Sequence, residues 1–162
     1  MENEILKQND AFFMKEALKE AVKALDKDEV PIGAVVVCNG KIIARAHNLT
    51  EMLNDPTAHA EITAIRNACK KLGNFKLDGC TVYSSCEPCP MCLSALYWAG
   101  VERICYGNTK QDAKEIEFDD SFIYDQLELP YSERSIKCEH FMRDKALVVF
   151  RKWQEKEDKI KY

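Results

Sequence analysis

Hydrophobic positions change period as the chain proceeds. Phe13, Met14, Ala17, Ala21, Val22 and Leu25 recur at three- and four-residue spacing, which predicts a helix from a capping Asp10 to about Leu25. Ile32 to Cys38 is then a short β-branched run. Asn39-Gly40 follows, a strong signal for a type I′ hairpin, and Lys41 to His47 is expected to pair back as the second strand. Asn48 to Thr57 is polar, contains Asp55-Pro56 and reads as a loop. Ala58 to Leu72 returns to helical spacing and stops at Gly73.

The same alternation continues downstream. Cys80 to Ser85 reads as a strand. Pro90 to Ala99 reads as a helix, with proline suited to its first position and Gly100 ending it, and Val101 to Tyr106 as another strand. Strand, helix and strand in that order require a parallel crossover, so an α/β sheet with helices packed on it is expected. Beyond Gly107 the chain turns polar and helical. Its last helix is expected from Asp144 to about Lys159, too charged past Trp153 to be core. No repeat or Gly-, Pro- or Ser-rich linker divides the 162 residues, which read as one domain (1–162) with a helical extension over about 111–162.

A hydrophobic content of 46% excludes disorder and collagen-like structure. No apolar run reaches the roughly 18 residues a membrane helix needs. The acidic start, Met1-Glu2-Asn3-Glu4, lacks the layout of a secretory signal, and a cytoplasmic protein is expected. With 23 basic and 27 acidic residues the formal charge is −4, which leans against a nucleic-acid partner. In a reducing compartment the eight cysteines stay thiols, and clustered ones point to metal. Cys38, Cys69, Cys80, Cys105 and Cys138 stand alone, whereas Cys86, Cys89 and Cys92 fall within seven residues.

His59-Ala60-Glu61 opens one predicted helix, and Cys86-Glu87-Pro88-Cys89-Pro90-Met91-Cys92 opens another. With Pro90 as first helical residue, Cys89 is the N-cap and Cys92 the third position, so both point the same way. Helix N-terminal amides favour thiolate, the form that binds metal. Two thiolates and one imidazole suit Zn²⁺ and leave a fourth position for water, the mark of a catalytic site. Cys86 as fourth ligand would instead give a closed structural site. Glu61 is either a solvated surface carboxylate or, facing the metal's water, a carrier of its proton to a ring nitrogen and a leaving amine.

His-x-Glu followed by Pro-Cys-x-x-Cys is the signature of zinc deaminases. On these residues the chain resembles the cytidine/deoxycytidylate deaminase superfamily over about residues 10–110. That resemblance implies a three-layer α/β/α fold with a central mixed five-stranded sheet and helices on both faces. It also implies one Zn²⁺ per subunit and attack of activated water on an amino-bearing ring carbon. Glu29 to Val36 and Asn54 to Glu61 look like the tRNA adenosine deaminases, the second stretch being shared with the bacterial-type guanine deaminases. Ser84 to Cys92, Ala95 to Ala99, Phe118 to Tyr124 and the extension ending in Tyr162 look like the guanine deaminases.

The guanine-deaminase resemblance implies substrate contacts at Asn48, Ala60, Trp98, Asp120 and Tyr162. It also implies a homodimer exchanging C-terminal segments, each terminal tyrosine closing the partner's site. Guanine offers N–H donors at N1 and the 2-amino group, which an acceptor at Asp120 would match. Asn48 could equally be a turn residue, Trp98 plain core and Asp120 a helix cap. Ile32 stands where these relatives carry an aromatic, and Glu139 and His140 where they have further polar groups. Alternatives are a tRNA adenosine deaminase, a guanosine deaminase and a non-catalytic zinc-stabilised scaffold.

Overall fold

The computed structural model describes residues 2–161, with side chains from residue 8 onward. The chain divides into two compact units, 1–120 and 121–162. Within the first, α1 (Glu2–Leu25) precedes the hairpin β1 (Gly33–Cys38) and β2 (Lys41–His47). A single turn, α2 (Thr50–Leu53), leads to α3 (Ala60–Leu72), β3 (Cys80–Cys86), α4 (Pro90–Ala99), β4 (Arg103–Asn108) and α5 (Lys110–Glu115). The hairpin turns as its residues dictate. Asn39 and Gly40 both take positive φ, 50° and 70°, which a type I′ turn requires.

The sheet has four strands in the order β2-β1-β3-β4. β1 runs antiparallel to both neighbours, and β3 and β4 are parallel, joined by α4. The expected five-stranded sheet is therefore corrected to four among the described residues. The reason is local. After β4 the only strong apolar run, Ala146 to Phe150, lies inside a helix, and nothing there offers the period-two pattern of a half-buried strand.

Side chains leave the central strand alternately to two cores. Val35, Val37 and Tyr83 pack with Phe13 and Ala17 of α1 on one face. Ala34, Val36 and Val82 pack with Ala60, Ala64 and Ala68 of α3 and Leu96 and Ala99 of α4 on the other. A strand covered on both faces reads as a continuous apolar run. The layers are thus helix, sheet and helix.

Asp10 does not cap α1, which starts earlier, at Glu2. It accepts a hydrogen bond from the Tyr83 hydroxyl at 2.6 Å and pairs with Arg103, tying the helix to β3 and β4. The stretch expected as a loop from Asn48 contains the α2 turn. α3 begins at Ala60 rather than Ala58, because His59 keeps extended dihedrals as its N-cap.

The second unit is helical: α6 (Ser121–Glu128), a 3-10 turn (Tyr131–Glu133) and α7 (Arg143–Glu155). Arg134 organises it, donating to the carbonyls of Leu129 at 3.0 Å and Leu127 at 3.4 Å and lying 4.2 Å from the Tyr131 ring centroid. Neither α6 nor α7 buries a residue, and Phe141, Val149 and Phe150 are exposed. No helix among the described residues is long and apolar enough to cross a membrane.

Among the glycines, Gly33 is packed most closely, against α1. A Cβ added there would lie 2.3 Å from the Ala17 carbonyl oxygen and 2.6 Å from Glu20 Cβ. Gly33→Ala must push helix from sheet, at a cost of about 1–3 kcal/mol, and a thermal melt should show a fall of roughly 3–10 °C.

Candidate metal centre and active site

His59 and Cys89 occupy the same place on two different helices. Each is an N-cap in extended conformation, with φ/ψ of −65°/158° and −63°/168°. Pro90 at the first position of α4 sets the helical φ without wasting a donor. Cys92 follows on the first turn. The result brings His59 Nδ1 to 3.6 Å from both Cys89 Sγ and Cys92 Sγ, and the three donor atoms lie within 4.8 Å of one another.

Those distances test the donor set against zinc. With Zn–S near 2.3 Å and Zn–N near 2.05 Å, a tetrahedral angle puts nitrogen and sulfur about 3.6 Å apart. The site therefore has the right size, the right ligand types and a small buried setting, with Cys89 and Cys92 6% and 0% exposed. Two thiolates also balance a dication. Cys86 does not join them. Its sulfur points at the Thr109 carbonyl, 4.0 Å away, and burial pushes its thiol up to about 11. Among the described residues the cluster has three ligands.

Electrostatics at the cluster follow from its closeness. The Cys89 thiol is pushed down to about 4, first by its neighbour Cys92 and then by His59. Hydrogen bonding to Cys89 raises His59 in turn. Glu61 is 3% exposed, and burial raises its carboxyl above the usual range. Its two oxygens are held separately: Ser84 Oγ donates to Oε1 at 3.0 Å and Cys92 Sγ to Oε2 at 3.4 Å. Glu61 is thus not a solvated helix residue. It is a fixed carboxyl against the metal ligands, whose raised pKa suits it to carry a proton.

The other candidate residues divide. Asn48 is 2% exposed; its Nδ2 donates to Glu29 at 3.0 Å, and its Oδ1 accepts from Thr50 at 3.2 Å. Ala60 is buried behind His59. Asp120 is half-buried with its carboxyl raised, first by burial and then by the charge on Cys89, and Phe118 lies 5.6 Å from the His59 ring. The structure therefore brings the segment 118–120 to the cluster. Trp98 is 65% exposed, off the α4 face that buries Cys92, Leu96 and Ala99, so it is not core. Ile32 is buried at 6% within the α3-side core, and Glu139 and His140 are exposed. Tyr162 lies outside the described residues.

Two residues escaped sequence reasoning. Ser84 carries a signal, since Ser84-Ser85 place two small hydroxyls near the end of a buried strand, just before the cysteine cluster. Glu29 had none beyond an acidic residue before Val30-Pro31.

Residues 7–108 match the model of the cytidine and deoxycytidylate deaminase zinc-binding region. The chain is 44% identical to guanine deaminase of Bacillus subtilis strain 168, over 95% of this chain and 99% of that one. It is 55% identical to the tRNA-specific adenosine deaminase of the same strain, over 60% of this chain and 61% of that one. The crystal structure of guanine deaminase from Bacillus subtilis superposes with a TM-score of 0.91 at 44% identity, over 94% of this chain and 98% of that one.

Purified protein should contain about one zinc per chain by elemental analysis, and the Cys89→Ala, Cys92→Ala double variant should contain almost none. Full zinc in that double variant would place the metal elsewhere.

Proposed function

We propose that this chain, which belongs to the cytidine and deoxycytidylate deaminase family, hydrolyses guanine to xanthine and ammonia as a zinc-dependent aminohydrolase. The observation that carries this reading is Glu61, a buried carboxyl held by the Ser84 hydroxyl beside a three-residue His-Cys-Cys cluster. A scaffold would need the ligands alone. Zinc held by His59, Cys89 and Cys92 would supply an acidified water as nucleophile.

This chain's residues supply the rest. Glu61 takes a proton from the water and passes it to a ring nitrogen of the base, then carries a second proton, from the added hydroxyl, to the departing amine. Ser84 keeps one Glu61 oxygen occupied, which leaves the carboxyl in a single orientation. Asp120, Asn48 and Ala60 are read as purine contacts, with the exposed Trp98 ring as a further one. An acceptor at Asp120 suits guanine, which carries a proton at N1, better than adenine, which does not. Similarity to a guanine deaminase along nearly the whole chain also favours that substrate over a tRNA adenosine, because the tRNA enzyme is similar over only part of it.

The same reading takes residues 1–162 as one cytoplasmic catalytic domain whose second unit is its extension. It takes the active form as a homodimer that exchanges C-terminal segments, with Tyr162 covering the partner's base. The exposed apolar residues of α7, Val148, Val149, Phe150 and Trp153, support an extension that packs on something. Residues 154–162 have only Ile160 and Tyr162 as apolar anchors, too few to hold the tail to its own core, so it is either a frayed end or, on this reading, packed on the partner.

Ammonia release assayed across guanine, guanosine, adenine, cytosine, their nucleosides and a tRNA anticodon stem-loop tests the substrate. Guanine should be fastest; turnover confined to the stem-loop would overturn the assignment. Glu61→Gln keeps shape and zinc but removes the base, and kcat should fall at least about a hundredfold. Near-normal turnover would remove Glu61 from the chemistry.

Deleting residues 158–162 should preserve folding and zinc while sharply lowering guanine turnover. Mixing that chain with full-length Glu61→Gln should restore activity, since heterodimers then combine an intact tail with an intact Glu61. A truncated enzyme as fast as the parent would reject the exchanged tail.

A further inference from the structure

We propose that Glu29 is a positioning residue for substrate recognition: it holds the Asn48 amide in one of its two orientations and so fixes which polar atoms that amide offers the purine. The inference rests on reading Asn48 as a purine contact, and it concerns a residue that lies outside the metal cluster.

Glu29 is 4% exposed and Asn48 2%. One Glu29 oxygen accepts from Asn48 Nδ2 at 3.0 Å, and the other accepts from the backbone N–H of Met52 at 2.7 Å, with the Glu51 N–H adding a third donor. Burial alone would raise this carboxyl, but the three donors outweigh it, and Glu29 stays ionised below the usual range. An ionised carboxylate can only accept. The Asn48 nitrogen must therefore face Glu29, and its oxygen faces the Thr50 hydroxyl, which donates at 3.2 Å. The Glu29 carboxylate thus removes the usual ambiguity between amide oxygen and nitrogen, and the Thr50 hydroxyl, able to donate or accept, completes the arrangement.

What Asn48 has left is one N–H and one oxygen lone pair, each in a fixed direction. A purine edge alternates ring acceptors with N–H groups and carbonyls. A flipped amide would set donor against donor and acceptor against acceptor, which costs more than a missing contact. The surrounding loop cannot absorb such an error by drifting. Asn48 N–H is hooked to the Ile32 carbonyl at 3.0 Å, and Leu49 N–H to the Ala58 carbonyl at 3.0 Å, the residue before the ligand His59. Glu29 grips the same loop between those hooks, through the first turn of α2. A carboxylate there serves both ends: it satisfies two helix N–H groups and sets one side-chain amide.

Glu29→Gln tests this. A glutamine must give an oxygen to the Met52 N–H, so it presents its own NH₂ to Asn48 and forces that amide to turn. In zinc-loaded enzyme the variant should keep its zinc and raise KM for guanine about tenfold, while kcat stays within about threefold. Asn48→Ala should raise KM by a similar factor, and adding Glu29→Gln to it should change KM little further. The side-chain ¹⁵N–H₂ resonances of Asn48, read without substrate, should shift in Glu29→Gln. Should Glu29→Gln fail to fold, Thr50→Val removes the donor on the other side of the amide and should raise KM several-fold.

An Asn48 resonance that does not move overturns the proposal whatever the substrate is. So does a Glu29→Gln effect on KM that is undiminished when Asn48 is already alanine, because Glu29 would then act through the fold alone. If the resonance moves but Asn48→Ala leaves guanine KM unchanged, it is the purine contact at Asn48 that fails, and the positioning role falls with it. Activity on the guanine panel separately decides the deaminase assignment.

Discussion

Two helix N-termini aimed at one point are the constraint on which the rest of this structure depends. His59 caps α3, Cys89 caps α4, and Cys92 stands on the first turn of α4. Bringing two sulfurs and a ring nitrogen to 3.6 Å concentrates groups that repel when both thiols ionise. The partial positive ends of two helices ease that repulsion, and a dication at the centre would cancel it. Without such compensation a buried Glu61 beside two thiolates would be a third negative charge in a dry site, where burial already raises its carboxyl. One arrangement thus serves metal holding and proton handling together.

Such precision needs a rigid platform, and the sheet provides it. β3 ends at Cys86, one short loop before Cys89, so the strand delivers α4 to the site with little slack. Ser84, two residues before that end, reaches Glu61 from the strand side. β1 fixes α1 on the opposite face through the close approach at Gly33, while Asp10 ties the same helix to Tyr83 and Arg103. A sheet clamped from both sides does not let its strand ends wander, and catalytic geometry tolerates little displacement.

Much of this was legible because it follows from local rules. Asn39-Gly40 demands positive φ twice, and takes it; Pro90 and Gly100 bracket α4 as their conformations require. The ligands were legible because His59, Cys89 and Cys92 sit at predicted helix starts, where residue type and position give the same answer. What was hidden depends on contacts distant in sequence. Nothing in Asp10 announces Arg103, and a helix-capping residue type was the better local reading. Ser84 and Glu29 look like ordinary polar residues until the fold sets one against Glu61 and the other against Asn48. The fifth strand failed for a different reason: it came from the resemblance and not from any run of residues, and the pattern itself supplied four.

Reaction class and substrate choice occupy different parts of this chain. The His59, Cys89 and Cys92 cluster, Glu61 and Ser84 lie on α3, β3 and α4, within residues 7–108 that match the deaminase zinc-binding region. Identity there measures how well the hydrolytic apparatus is kept and says little about what enters it. On the proposed function, purine discrimination comes from other groups, read as those on the loop after β2 and in the stretch around Asp120. Such segments can change while the cluster stays fixed, because they touch the sheet through few side chains. Asn48 is the exception. It is as buried as Cys89 and Cys92 and is held from both sides, so its contribution is set by its neighbours rather than by its own type. A substitution that changed neither ligand nor purine contact could therefore still alter specificity, by turning one amide.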